Sequence, residues 1–147
     1  LAYDPYKSNI SNEWVEQVPE SRLFEEAEVV SLHVPLTDET RGMVDDAFFA
    51  RFTRPIYFLN TSRVPVVQSA ALLRALNAHS VQFAGLDVLE EEGTHFESLS
   101  NPSASWPALA AHPRILFSPH VAGWSVQSKW RVGEYLLEQI DGLYDEH

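Results

Sequence analysis

Four short apolar runs, each followed at once by polar or charged residues, constrain this chain more than any other feature. They are Val29-Val30-Ser31-Leu32-His33-Val34, Ile56-Tyr57-Phe58-Leu59-Asn60, Phe83-Ala84-Gly85-Leu86-Asp87-Val88 and Ile115-Leu116-Phe117-Ser118. Helical patterns separate them, and such alternation is the sequence sign of parallel strands joined by crossover helices. The near-continuous apolar character of the runs suits strands covered on both faces. An α/β fold follows, and Leu1-Ala2-Tyr3 reads as the stump of an earlier strand.

Between the runs, Ser21 can cap a helix burying Leu23, Phe24 and Ala27, and Asp45 one burying Phe48, Phe49 and Phe52. Ser69 stands in the same relation to Leu72, Leu73 and Leu76. From Glu90 to Pro113 the rhythm breaks into glutamates, prolines and serines, which predicts a long loop. After His120, Trp130, Gly133, Leu137, Ile140 and Tyr144 recur near the 3.6-residue period, predicting a C-terminal helix whose apolar stripe needs a docking partner.

Composition narrows the function. Ten Lys and Arg against 21 Asp and Glu give a net charge of −11, which offers no basic footprint for nucleic acid or anionic lipid. The absence of cysteine removes disulfides, thiolate catalysis and thiolate-bound zinc, and suits a reducing, cytoplasmic compartment. No apolar run approaches the ~20 residues that span a bilayer, so no membrane partner is expected. The histidines outside the strand ends, His79, His95, His112 and His147, show no metal-ligand spacing, and no metal is assigned.

In an open parallel sheet, ligands gather beyond the carboxyl ends of the strands. There the chain places Asp4, then His33-Val34-Pro35, Asn60-Thr61-Ser62-Arg63, Asp87 with Glu92 beyond it, and Pro119-His120. One rim thus collects an arginine, a histidine and several carboxylates. Bland alternatives accompany each. Asp4 before Pro5 can simply form a turn, Arg63 can pair with acidic neighbours, and His120 can be a buried ring satisfied by backbone. Glu92 can belong to a solvated glutamate run, and His33 can be structural.

The order of four motifs resembles the D-2-hydroxyacid dehydrogenases: Leu32-His33-Val34-Pro35-Leu36-Thr37, Asn60-Thr61-Ser62-Arg63, Gly85-Leu86-Asp87-Val88 with a glutamate five positions after the aspartate, and Ser118-Pro119-His120-Val121-Ala122-Gly123. Within that family the likeness is greatest to phosphoglycerate dehydrogenase-like members. The resemblance implies an NAD-dependent oxidoreductase interconverting a D-2-hydroxy acid and its 2-oxo acid. It implies that Arg63 anchors the substrate carboxylate, that His120 transfers the proton, and that Glu92 tunes the imidazole. It further places Asp4, His33, Val34, Pro35, Thr61 and Asp87 in the cofactor cleft. The chemistry suits the residue types, since guanidinium matches carboxylate geometry and imidazole exchanges protons near neutrality. A strand-end aspartate such as Asp4 accepts from ribose hydroxyls and repels a 2′-phosphate, favouring NAD over NADP.

Departures accompany the likeness. The 147 residues contain no glycine-rich strand-to-helix turn, and Val64-Pro65 stand after Arg63 where the family has glycine. Phe83 also replaces a residue that is usually small, and Glu28 a shorter polar one. The expectation is therefore a partial Rossmann-type domain over residues 1–147, lacking the first strand, the glycine-rich turn and the substrate domain. Such a piece is expected to be inactive by itself, and either to associate with a second copy as a homo-oligomer or to expose apolar surface. The alternative is a non-catalytic association module that keeps the dehydrogenase scaffold.

Overall fold

The computed structural model describes residues 1–87 and 105–145. Four parallel strands form one sheet: β1 (Val29–Leu32), β2 (Ile56–Asn60), β3 (Val81–Leu86) and β4 (Ile115–Phe117), in the order β1-β2-β3-β4. The helices are α1 (Glu20–Glu26), α2 (Asp46–Ala50), α3 (Ser69–Asn77), α4 (Trp106–Ala110) and α5 (Val126–Asp145). This is the sequential half-sheet of a Rossmann-type α/β fold, as the alternation predicts. Ala2 makes a separate parallel bridge with Gln17 outside that sheet.

Strand order explains which face is covered. When each parallel strand is laid beside the last by a right-handed crossover, every connection falls on the same face. The inward face accordingly carries Leu32, Ile56, Phe58, Ala84 and Leu86, packed with Phe49 from α2 and Leu72 and Leu76 from α3. Phe24, Phe48, Phe49, Phe52 and Phe58 meet edge-on or tilted at centroid distances of 4.7 to 5.6 Å. Two-sided coverage is therefore corrected for the described residues. Burial alternates along β2, and Tyr57, Leu59, Phe83 and Leu116 form an exposed apolar face, with Tyr57 and Phe83 stacked at 6.2 Å.

Helix starts agree with the sequence in one case and differ in two. Asp45 caps α2, accepting from the Phe48 amide at 2.8 Å. Ser21 lies inside α1, whose cap position is held by Pro19, and Ser69 is the first residue of α3, after Gln68. Pro19 fixes an extended approach to α1, while the Gln68 side chain donates to the Gly42 carbonyl at 3.0 Å. Within the expected loop from Glu90 to Pro113, α4 forms at Trp106–Ala110, because Pro107 falls in its first turn, where no amide bond is lost. The earlier part of that loop lies outside the described residues. Helix α5 forms as the periodicity predicts, yet Trp130, Leu137 and Ile140 are exposed on it.

Candidate functional site at the carboxyl edge of the sheet

Four strand ends are tied together by their own polar groups. The Ser62 hydroxyl donates to the Val34 carbonyl at 2.5 Å, linking the segments after β1 and β2. The buried Asn60 side chain accepts from the Ser62 amide at 3.0 Å, and its carbonyl accepts from the Asp87 amide at 2.9 Å. Beyond β4, the Ser118 amide donates to the Leu86 carbonyl at 3.0 Å. Buried polar groups satisfied in this way give a rigid rim on which side chains can be aimed.

Asp87 organises the far end of that rim. Only 3% of it is exposed. One carboxylate oxygen accepts from the Ser118 hydroxyl at 2.5 Å and the Val121 amide at 2.9 Å, while the other accepts from the Ala122 amide at 2.8 Å. Burial pushes this carboxyl up, but the bonds from Ser118, Ala122 and Val121, with His120 nearby, together hold it below its ordinary value. Between those donors stands His120, half-buried, with φ at 56° in the left-handed region and its amide on the Ser118 carbonyl at 2.9 Å. Non-glycine residues adopt that conformation seldom, and histidine is among those that do so more often.

Arg63, exposed, donates from its guanidinium to the Ser62 carbonyl at 2.8 Å. A single 3-10 turn over Val64–Val66 follows it, with Pro65 in the first turn. Positive φ among described non-glycine residues is confined to Asn9, His79 and His120, so the backbone after Arg63 does not use the freedom that a glycine would supply. Val34 and Thr61 are half-buried beside this edge; Pro35 is exposed, and the His33 ring meets the Ser31 hydroxyl at 2.9 Å.

Two other sequence-selected residues stand apart. Asp4, half-buried, accepts from the amides of Tyr6 and Lys7 at 2.8 and 3.1 Å, the turn-forming geometry of an aspartate before proline. It also lines an open cleft with Tyr3, Asn9, Ser11, Gln17, Val18 and Pro19. Glu92 lies outside the described residues. Among the described residues, no group of three or more His, Cys, Asp or Glu is placed to hold a metal ion, and no helix is long and apolar enough to cross a membrane. Sequence reasoning missed the anchoring roles of Ser62, Ser118 and the Val121 and Ala122 amides. Ser118 closes a strand and was a visible signal, whereas backbone donors carry no residue identity.

Comparison with known proteins extends this picture. Residues 1–122 match the family described as D-isomer specific 2-hydroxyacid dehydrogenase, NAD binding domain. A D-lactate dehydrogenase of Treponema pallidum is 32% identical over 126 residues, covering 83% of this chain and 38% of that protein. A glyoxylate reductase of Korarchaeum cryptofilum is 36% identical over 126 residues, covering 86% of this chain and 35% of its own length. The crystal structure of a Lactobacillus jensenii D-lactate dehydrogenase with NAD+ superposes with a TM-score of 0.70 at 32% identity, covering 86% of this chain and 39% of that one. The chain thus spans less than half the length of these relatives.

Proposed function

Since the chain belongs to the D-isomer specific 2-hydroxyacid dehydrogenase family, we propose that it forms part of an NAD-dependent oxidoreductase interconverting a D-2-hydroxy acid and its 2-oxo acid. The observation that carries this reading is the gathering of Arg63, Asp87 and His120 on the tied carboxyl edge of one parallel sheet.

The donor chemistry of this edge fits the nicotinamide end of a dinucleotide. Val34, Pro35 and Thr61 supply a partly apolar wall, with His33 at its margin and Asp87 toward the nicotinamide end. Asp4 supplies a carboxylate for a ribose, using the oxygen that its turn leaves over. These 147 residues include no glycine-rich turn to cradle the phosphates. When bound, NAD supplies the hydride acceptor or donor.

The remaining work falls to the side chains. Arg63 holds the substrate carboxylate through paired N–H donors, which fixes the reactive carbon relative to the sheet edge. His120 gives a proton to the carbonyl oxygen during reduction and takes one from the hydroxyl during oxidation. Glu92, if it reaches the imidazole, favours the protonated ring. The test is reduction of pyruvate, glyoxylate and hydroxypyruvate with NADH by the natural protein that carries this sequence. We expect His120→Gln to lower kcat by about a hundredfold or more, in line with general acid–base contributions, and Arg63→Ala to act chiefly on KM. Wild-type turnover in both variants would refute the reading.

A second reading, association with another copy, draws on the exposed apolar face of Tyr57, Leu59, Phe83 and Leu116 and the exposed stripe of α5. It is compatible with the first, as oxidoreductases can be oligomers. Sedimentation across a range of concentrations checks it: a mass that rises with concentration in the wild type and falls in Phe83→Lys supports it, and a constant monomer mass refutes it.

A further inference from the structure

We propose that Asp87 is a positioning residue that acts on His120 through the backbone, by clamping the Ser118–Ala122 loop that holds the histidine. This inference rests on the assignment of His120 as the acid–base group.

The argument begins with an accounting of one carboxylate. Asp87 is buried, and a buried carboxylate without partners is costly. Its hydrogen-bond donors among the described residues are one hydroxyl and two backbone amides, all from the loop after β4, and they lie on both sides of His120 in the sequence. Ser118 is pinned two residues before the histidine, and Val121 and Ala122 are pinned immediately after it. A residue whose neighbours on both sides are fixed has little choice of backbone conformation. His120 is correspondingly found at φ 56°, a region that costs energy for a non-glycine residue and persists where the surroundings over-determine it.

The base of the clamp is equally fixed. The Asp87 amide is held by the Asn60 carbonyl, and the Ser118 amide by the Leu86 carbonyl, so both ends of the loop's anchor are extensions of the sheet. The acceptors and donors match in number as well as position: three donors converge on two oxygens that an ionised carboxylate keeps free of protons. An amide side chain cannot reproduce this, because its NH2 would face an N–H of the loop.

A direct contact between Asp87 and bound cofactor is a different role, with a different signature. It would make the carboxylate matter for cofactor affinity and leave the loop indifferent to it. The clamp makes the loop order depend on the carboxylate, and catalytic rate depend on the loop.

The experiment compares Asp87→Asn and Ser118→Ala with the wild type in the natural protein carrying this sequence, by hydrogen–deuterium exchange and by steady-state turnover of a 2-oxo acid with NADH. For Asp87→Asn, exchange in the peptide covering 118–124 should quicken about tenfold or more, the scale of a lost charge-assisted bond. Exchange elsewhere should stay at wild type, and kcat should fall while KM for the 2-oxo acid changes little. Ser118→Ala should quicken the same peptide less. Wild-type exchange of that peptide in folded Asp87→Asn overturns the clamp, as does weakened NADH binding with unchanged loop exchange. Quickened exchange with unchanged kcat overturns its role in positioning His120. Should Asp87→Asn fail to fold, Ser118→Ala decides: quicker loop exchange supports the clamp and unchanged exchange overturns it. Failure of the underlying reading shows separately, as wild-type turnover in His120→Gln.

Discussion

The Asp87 carboxylate accepts from the Ala122 amide at 2.8 Å, across a gap of 35 residues, and so joins the end of β3 to the loop that leaves β4. That bond, with its companions from Ser118 and Val121, makes the candidate site a product of sheet topology. Adjacent parallel strands bring their carboxyl ends together, and the polar residues placed there satisfy one another before any ligand arrives.

Arg114 performs a comparable task at the opposite edge. Its guanidinium donates to the carbonyls of Val81 and Gln82 at 3.3 and 3.2 Å and to that of Leu76 in the last turn of α3. Replacing it with methionine keeps much of the stem and removes the donors that these carbonyls share. Stability should fall by about 1–3 kcal/mol, read as a lower urea midpoint at unchanged slope. An unchanged midpoint would mean that water replaces the guanidinium at no cost.

At the start of α2, the Asp45 side chain satisfies the Phe48 amide. Asp45→Ala should cost about 1 kcal/mol, while Asp45→Asn, which keeps an acceptor oxygen, should cost less. Equal losses from the two would show that the cap bond is not what Asp45 contributes.

His112 gives stability a pH dependence. Burial, and then the nearby Arg114 charge, push its pKa below the ordinary imidazole value, and its Nδ1 accepts from the Arg114 amide at 3.2 Å. The unfolded chain therefore binds the proton more readily than the folded one. Stability from the neutral ring is complete above about pH 6.5, the unfolded imidazole value, and is lost as pH falls through the lower folded value. His112→Gln should flatten that part of the stability profile, while a profile unaltered by the substitution would place the dependence elsewhere.

Phe58 sits at the centre of the covered face with no exposure, in edge contact with Phe49 at 5.4 Å. Phe58→Ala should cost about 3–5 kcal/mol through lost burial and the cavity left behind. Tyr57, one residue earlier, points to the uncovered face, and Tyr57→Ala should cost clearly less. Similar losses would indicate that both faces of β2 are covered in solution.

Much of this arrangement was legible before the structure. Each strand announced itself as an apolar run, Asp45 as a cap, and the rim residues as polar punctuation at strand ends. What could not be read was set by non-local geometry. Tyr57 and Phe58 are both aromatic residues of one strand, and strand order and crossover hand decide which of the two faces is covered. The loop reading over Trp106–Ala110 failed because five residues are too few to show a helical period. Ser21 and Ser69 are good caps by type, but Ser69 is the first residue of its helix and Ser21 the second, because helix ends are set by tertiary context within a residue or two. After Arg63 the chain forms a single 3-10 turn over Val64–Val66 that accommodates Pro65.

The most direct measurement is turnover of a 2-oxo acid with NADH by the natural protein carrying this sequence, compared between wild type and His120→Gln. The account predicts measurable reduction by the wild type and a fall of about a hundredfold or more in the variant. Equal turnover by the two proteins would contradict it.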